Sequence, residues 1–445
     1  MFRPPQDHPL RLALADEVHA RPPEALSTPM RAAHVAVCLD AQARSREGAL
    51  LARLCRAYGV APPPADATHV SVMLGTRRLK WERHGEFSGY TVFEPGVEAA
   101  PFASSPWDAL GEALGADGPL ELPGRTLVSA DGLLIAGDVA APDPALLAAC
   151  FGTHVVIGSR VADGAALACT DFRLHGDGLH GGGSSRMLLV DGGLTPRQAG
   201  RLMQRMFEIE AYRMMALLAL PVARELAPRL ARSEAALAAL TGGIARDDGQ
   251  DEALLHQLSR LAADVEQELA ASQFRFAACR AYSRLVERRI ADLRETRLAG
   301  LQTIEEFMKR RFSPAVDTCE SVSQRLLALS ERVAQASSLL ATRVGIARER
   351  QNQHLLASMN RRAQLQLHLQ QTVEGLSVAA IAYYAVGLVG YLAKGAKAAG
   401  WGLDAELVTG LAVPVLAVGV FVAVRRIRRR VHDAQHAPGR TTYTP

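Results

Sequence analysis

The chain has 445 residues, 49% of them apolar, 22% charged and 5% aromatic, with a formal net charge of +4. That length accommodates two or three domains with a sizeable core, and basic residues without interleaved aromatics exclude a nucleic-acid-binding surface. The six cysteines (Cys38, Cys55, Cys150, Cys169, Cys279 and Cys319) contain no CxxC pair, which excludes a disulfide framework or zinc ribbon and predicts buried thiols in a reducing compartment.

The start, MFRPPQDHPLRLALADEVHARPP, has no apolar core behind a basic start. It does not read as a signal peptide, so the bulk of the chain is expected in the cytoplasm. His8, Glu17, His19 and Arg21 in this stretch are candidate ligand or metal residues; in an extended segment Glu17 and His19 would share a face, and His8 or His34 could join them at a metal. The competing reading is a polar segment packed on the domain by hydrogen bonds.

Residues 1–192 are rich in Pro and Gly and carry alternating, strand-like stretches at 33–39, 69–74, 78–84 and 90–95, then RTLVSADGLLIAG, THVVIGSRV, AALACTDFRLH and SRMLLVDGG. Residues 47–60 have helical spacing and stop at Gly59. The expectation is a cytoplasmic mixed α/β domain with mostly hairpin-linked strands. LKWERH places Lys80, Glu82 and His84 on alternating strand positions, and TDFRLH does the same for Asp171, Arg173 and His175. Each trio is expected on one sheet face, as cross-strand ion pairs or as a site that senses an ion or small molecule. GDGLHG (176–181) matches GxGxxG, but a strand follows it instead of a helix, which predicts a hairpin loop. HGGGSS (180–185) is similar to an oxyanion-hole segment, yet the chain has no G-x-S-x-G elbow. No catalytic residue is assigned, and an enzyme is not expected.

Residues 195–312 form a helical region. Thr195 is a candidate N-cap with Pro196 at the first helical position, and Pro221 and Pro228 are expected to kink or break the helix. After a glycine-marked turn, one long antiparallel helix is expected from about 251 to 312. Ser313 and Pro314 then open another helix. In it Val322, Leu326, Leu329, Val333, Ala336 and Leu340 recur at steps of four and three, which is coiled-coil spacing. No proline interrupts this helix before the membrane, so a stalk over 313–375 is expected to continue into the first span.

Residues 376–393 and 407–424 are two 18-residue runs without a charge, close to the ~20 residues that cross a bilayer as a helix. Arg361 and Arg362 precede the first, Arg425, Arg426, Arg428, Arg429 and Arg430 follow the second, and the linker 394–406 is nearly neutral. The positive-inside rule then predicts both termini in the cytoplasm, a short extracytoplasmic loop and a basic cytoplasmic tail over 425–445. Just before the first span Asn360, Gln364, Leu367, Gln371, Glu374 and Val378 share a helix face. This stripe is either a solvated outer face or, in a parallel oligomer, a polar funnel with a ring of Glu374 carboxylates that attracts cations.

The stretches DHPLRLALADEVHARPPEAL, LKWERHGEFSGYTVF, GLTPRQAGRLMQRMFEIEAYRMMALLALPVAREL and ASMNRRAQLQLHLQQTVEGLSVAAIAYYAVGLVGYLAKG resemble the domain-of-unknown-function family 3422, over nearly the whole chain. That resemblance implies a membrane-anchored bacterial protein of the inner membrane. In architecture the chain is also similar to CorA-type magnesium transporters. This implies a homo-oligomer, a pentamer by resemblance, with a pore lined by the first span and a divalent cation as cargo. The residues themselves name no cofactor. The Tyr-Gly-Met-Asn signature of those transporters is absent, and Gly390-Tyr391-Leu392-Ala393-Lys394 stands in its place.

The leading functional expectation is an oligomeric CorA-like ion channel or transporter with altered selectivity. Its pore-lining candidates are Asn360, Gln364, Gln371 and Glu374 in the funnel and Tyr383, Tyr384, Gly387, Gly390 and Tyr391 along the span. The alternative is a non-conducting membrane-anchored scaffold, or a ligand-sensing protein with a cytoplasmic α/β domain.

Overall fold

The computed structural model describes residues 5–12, 14–15, 22–98, 100–114, 118–176, 181–246, 250–400, 402 and 404–435, with side chains up to 426. It divides into two compact units, residues 1–339 and 340–445.

The first unit is built on an eight-stranded sheet in the order β2-β3-β4-β1-β5-β8-β7-β6. Its strands are β1 (Met30–Cys38), β2 (His69–Leu74), β3 (Arg77–Arg83), β4 (Phe87–Pro95), β5 (Arg125–Ala136), β6 (Ile157–Val161), β7 (Ala166–His175) and β8 (Ser184–Asp191). Neighbours are antiparallel except β5 and β8, which run parallel. Each half of the sheet repeats one plan: a central strand, a helix, then a three-stranded meander. In the first half β1 leads into α1 (Ala41–Ala57), and in the second β5 leads into α3 (Pro144–Phe151); α2 (Pro106–Leu114) lies between the halves in sequence. The mixed α/β fold and the predicted strands are thus observed.

Val35, Val37, Leu79, Trp81, Tyr90 and Val92 face α1 and α2 in one core, where Leu50, Leu51, Leu54 and Leu110 meet them. Leu133, Leu167, Cys169, Leu188 and Val190 form a second core with Cys150 and Phe151 of α3. Burial pushes the Cys150 and Cys169 thiols up to about 11 and 12, so both are inert hydrophobes. The first core contains one charge. Glu47 of α1 is fully buried, and its carboxylate accepts from Trp81 Nε1 at 3.0 Å, Tyr90 OH at 2.9 Å and Arg83 Nε at 3.2 Å.

The opposite face is covered by α4 (Pro196–Leu217), which Thr195 and Gln198 open with a capping box. This helix approaches the chain very closely. A Cβ on Gly200 would stand 1.6 Å from the Glu24 carbonyl oxygen, and one on Gly132 of β5 would stand 2.5 Å from Met203 Sδ. Only glycine fits at Gly200, where the contact is to backbone, whereas at Gly132 the Met203 side chain would have to shift. α5 (Ala219–Arg246) and α6 (Asp251–Leu293) follow. The expected break comes at Leu218, ahead of Pro221, and α5 then runs through Pro228.

The single helix expected over 251–312 is corrected. α6 stops at Leu293, Arg294 adopts a left-handed conformation (φ 52°), and α7 (Ile304–Arg311) begins afresh with a Thr303–Glu306 capping box. The intervening chain pairs with β6. Gly158 N–H donates to the Gln302 carbonyl at 2.9 Å, and Arg160 and Thr296 exchange bonds of 3.0 and 2.8 Å. Covering an open sheet edge satisfies backbone groups that would otherwise face water, and this outweighs the local helical preference.

α8 (Ser313–Ala398) starts at the expected residue and runs without interruption through the first apolar stretch. In the first unit its Val322, Leu326, Leu329, Val333 and Ala336 are buried, and ion pairs from Arg325 to Glu234 of α5 (2.7 Å) and from Glu320 to Arg280 of α6 (3.4 Å) fix its register. In the second unit the rest of α8 is followed by α9 (Ala405–Gln435). Both contain a stretch long and apolar enough to cross a membrane.

Candidate functional site

Cross-strand register assembles a polar row under α4. His34 of β1 lies opposite Thr91 of β4, and Thr91 lies opposite Lys80 of β3. Alternation along β3 turns Lys80 and Glu82 toward α4 while Trp81 meets Glu47 on the other face. Lys80 is buried: its Nζ lies 2.9 Å from Glu82 Oε1 and donates to Gln204 Oε1 of α4 at 3.0 Å. Gln204 in turn donates to Glu208 at 2.7 Å, and Glu208 pairs with Arg289 of α6. Glu24 pairs with Arg78 at 3.3 Å. Glu24, His34, Lys80, Glu82, Gln204 and Glu208, with Phe87, Phe93, Phe207 and Tyr212, line a narrow cleft with about 30 Å³ of space open to a water-sized molecule.

His34 sets the chemistry of this cleft. Its ring stacks on Phe207 with centroids 5.1 Å apart, and Nδ1 is 2.8 Å from Thr91 Oγ1. Burial first, then the neighbouring His84 and Lys80, pushes the imidazole down to about 3. It is therefore neutral at physiological pH. Its Nε2 is buried without a hydrogen-bond partner among the described residues, a condition that ordinarily calls for a ligand or water. Gly89 leaves room for the ring, since a Cβ there would lie 3.1 Å from His34 Cε1.

The Lys80, Glu82 and His84 trio thus shares one cleft, as its spacing predicted. The second trio divides. Asp171 and His175 meet, whereas a bulge between Thr170 and Leu174 separates Arg173 from them, and His154 from the turn after α3 joins instead. Of the N-terminal set, His8 is exposed and its Nδ1 accepts from Leu10 N–H at 3.1 Å. Glu17, His19 and Arg21 lie outside the described residues, as does most of the GDGLHG loop.

In the second unit Asn360, Gln364 and Gln371 are exposed on α8, while Glu374 is half-covered. Its continuation, Val378, Ala382, Val386, Val389 and Gly390, is half-covered too, and a Cβ placed on Gly390 would stand 3.4 Å from the Thr409 side chain of α9. Tyr383, Tyr384, Gly387 and Tyr391 are exposed on the other side. The pore-lining candidates therefore occupy two faces of α8 in this chain. Arg425 and Arg426 are exposed at the end of the second apolar stretch; of Arg428, Arg429 and Arg430 only the backbone, within α9, is described.

Sequence reasoning did not single out Gln204, Glu208 or Glu47. The first two sit on α4 four residues apart, a helical step that marks a shared face and was the available signal. Glu47 lay in plain view among the apolar positions of its helix.

No curated protein and no solved structure matches the chain. Residues 6–431 match the model of a family described as Protein of unknown function (DUF3422). The match runs through the sheet, the helices over the cleft and both apolar stretches, and the chain therefore belongs to the DUF3422 family.

Proposed function

We propose that this chain is a membrane-anchored sensor, whose α/β domain binds a small ligand in the His34 cleft while the two apolar helices hold it in the bilayer. The observation that carries the reading is the buried Nε2 of His34, without a partner among the described residues, in a cleft whose Lys80, Glu24, Glu82 and Glu208 are in ion pairs. Lys80 with Glu82, Arg78 with Glu24 and Arg289 with Glu208 cancel in pairs. A charged ligand would find no counter-charge to spare, and burying one uncompensated is costly. The cleft instead suits a very small uncharged molecule, with a compact apolar part for Phe87, Phe93 and Phe207 and one hydrogen-bonding group for His34.

The membrane part of this reading rests on the two apolar helices, and the arginines from 425 onward support an inner membrane with both termini in the cytoplasm. A thermal-shift screen of neutral heteroaromatic and hydroxylated fragments on the detergent-solubilised chain tests the cleft. Fragments that raise the melting temperature should lose their effect in Phe207→Trp, which fills the space. Shifts that persist in that variant would remove the cleft from the proposal. Full extraction of the chain from membranes by alkaline carbonate would remove the anchor.

A conducting oligomer is the second reading, favoured by the exposed polar stripe of Asn360, Gln364 and Gln371 and the outward Tyr383, Gly387 and Tyr391 at steps of four. Cation flux into liposomes that falls with Glu374→Gln supports it; no flux from the reconstituted chain ends it.

A further inference from the structure

His154, Asp171 and His175 come from two places in the chain, the turn after α3 and the strand β7. His154 follows α3 in the turn begun by Gly152, whose left-handed φ of 63° caps that helix. Asp171 sits in the β7 bulge and His175 ends the same strand. The bulge is what joins the last two. Phe172 takes a left-handed φ of 53°, a conformation uncommon for a bulky residue, and its ring is held between Phe307 of α7 (centroids 5.1 Å) and the Arg213 guanidinium of α4 at 5.4 Å. A regular strand would leave residues 171 and 175 two side-chain repeats apart on the sheet; the bulge folds them together.

The result is one enclosed carboxylate shared by two imidazoles. The Asp171 side chain is fully buried, with Oδ2 2.7 Å from His154 Nδ1 and 2.8 Å from His175 Nε2. Its other oxygen is occupied by the Arg173 N–H at 3.1 Å. One potential ligand atom from each of the three residues lies within 4.8 Å of the others. An ion bonded at ~2.1 Å keeps its ligand atoms roughly 3–4 Å apart, so both imidazoles, now at hydrogen-bond distance from Oδ2, would move outward by a few tenths of an ångström or more to admit it. That ring is about one-third exposed while His175 is nearly covered, so one side of the trio opens to water.

We infer that His154, Asp171 and His175 form a binding site for a divalent transition ion of the zinc class. Two neutral imidazoles and one carboxylate are the donors that such ions accept, and three protein ligands leave further positions for water. The strained Phe172, pinned by Phe307 and Arg213, is the support that keeps Asp171 and His175 on one centre. This site is separate from the His34 cleft, shares no residue with it, and stands or falls independently of the ligand proposed there.

The test uses the untagged full chain in detergent, titrated with Co²⁺ and competed with Zn²⁺. The wild type should bind one Co²⁺ per chain, give the visible absorption of a nitrogen- and oxygen-ligated ion, and release it to Zn²⁺. His154→Ala removes the accessible ligand, and binding should weaken at least ~10-fold while the metal-free variant melts within a few degrees of the wild type. Asp171→Asn should lose the site as well. Failure of the wild type to bind either metal at micromolar concentration overturns the site. So does undiminished binding by a folded His154→Ala.

Discussion

The two halves of the sheet repeat one plan, a central strand, a helix and a three-stranded meander, yet each solves the problem of buried polarity differently. In the first half the buried and half-buried charges lie in ion pairs: Lys80 with Glu82, Arg83 with Glu47, and Arg31 and Arg77 on the shared Glu94. In the cleft under α4, Nε2 of the neutral His34 is buried without a hydrogen-bond partner among the described residues. In the second half one carboxylate, Asp171, serves two imidazoles. A balanced cluster has use for a neutral ligand, whereas one carboxylate flanked by two imidazoles offers the donor set of a cation site. The contrast follows from partner arithmetic, and substitutions can attack it from either side.

The largest effect is expected at Glu47. Removing this carboxylate in Glu47→Ala strands the Arg83 guanidinium and the Trp81 and Tyr90 donors inside the first core, and breaking a buried pair from one side costs about 3–5 kcal/mol. Chemical denaturation of the chain should show a loss of that order. A loss below about 1 kcal/mol would mean that water reaches the cluster, and the charge-balanced description of the first half would fail.

Acid should act next, through His34. The unfolded chain takes up that proton near pH ~6.5, whereas the folded chain resists it down to about 3. The folded value is the lower one, so the unfolded state binds more protons between those limits and stability falls as pH drops from about 6.5. The slope from this one group approaches ~1.4 kcal/mol per pH unit. His34→Gln should flatten the pH dependence of melting between pH 6.5 and 5 relative to the wild type. Parallel profiles for the two proteins would show that His34 is not held neutral.

How far the sequence exposed each cluster follows from how each is built. Lys80, Glu82 and His84 were legible because a regular strand repeats every two residues, and β3 keeps that repeat. The second cluster depends on a bulge at Phe172 and on a turn after α3. Neither leaves a periodic trace, so Arg173 was grouped with Asp171 and His175, and His154 went unnoticed. The same distinction holds for the helices. The buried face of α8 from Val322 to Ala336 repeats every three or four residues and was visible, whereas the interruption between Leu293 and Ile304 is imposed by the edge of β6, remote in sequence. The two apolar stretches were evident from composition, but their faces were not. Thr409 of α9 lies beside Gly390 on one side of the helix, and Tyr383 and Tyr391 are exposed on the other.

Two smaller substitutions sharpen the contrast. Gly89→Ala sets a methyl 3.1 Å from the His34 ring, which Phe207 and Thr91 hold in place. The ring must yield by a few tenths of an ångström, so a loss of about 1 kcal/mol is expected, together with weakened fragment binding in the cleft. A neutral outcome in both readouts would place the ring in a looser setting than its stacking implies.

The smallest effect belongs to His154→Ala in the metal-free chain. His154 is partly in water, so deleting it removes one hydrogen bond to Asp171 and leaves the carboxylate with His175 and the Arg173 N–H. A single such bond contributes about 1 kcal/mol or less. The informative quantity is the contrast with added metal. Zn²⁺ at 100 times its dissociation constant would stabilise the wild type by ~2.7 kcal/mol, because it binds the folded state alone, and should do little for the variant at the same concentration. Equal stabilisation of both proteins would return the trio to an ordinary hydrogen-bonded cluster and dissolve the difference between the two halves. If stabilisation is confined to the wild type, the unequal partner count around Asp171 is what separates a cation site from the balanced cleft on the other half of the sheet.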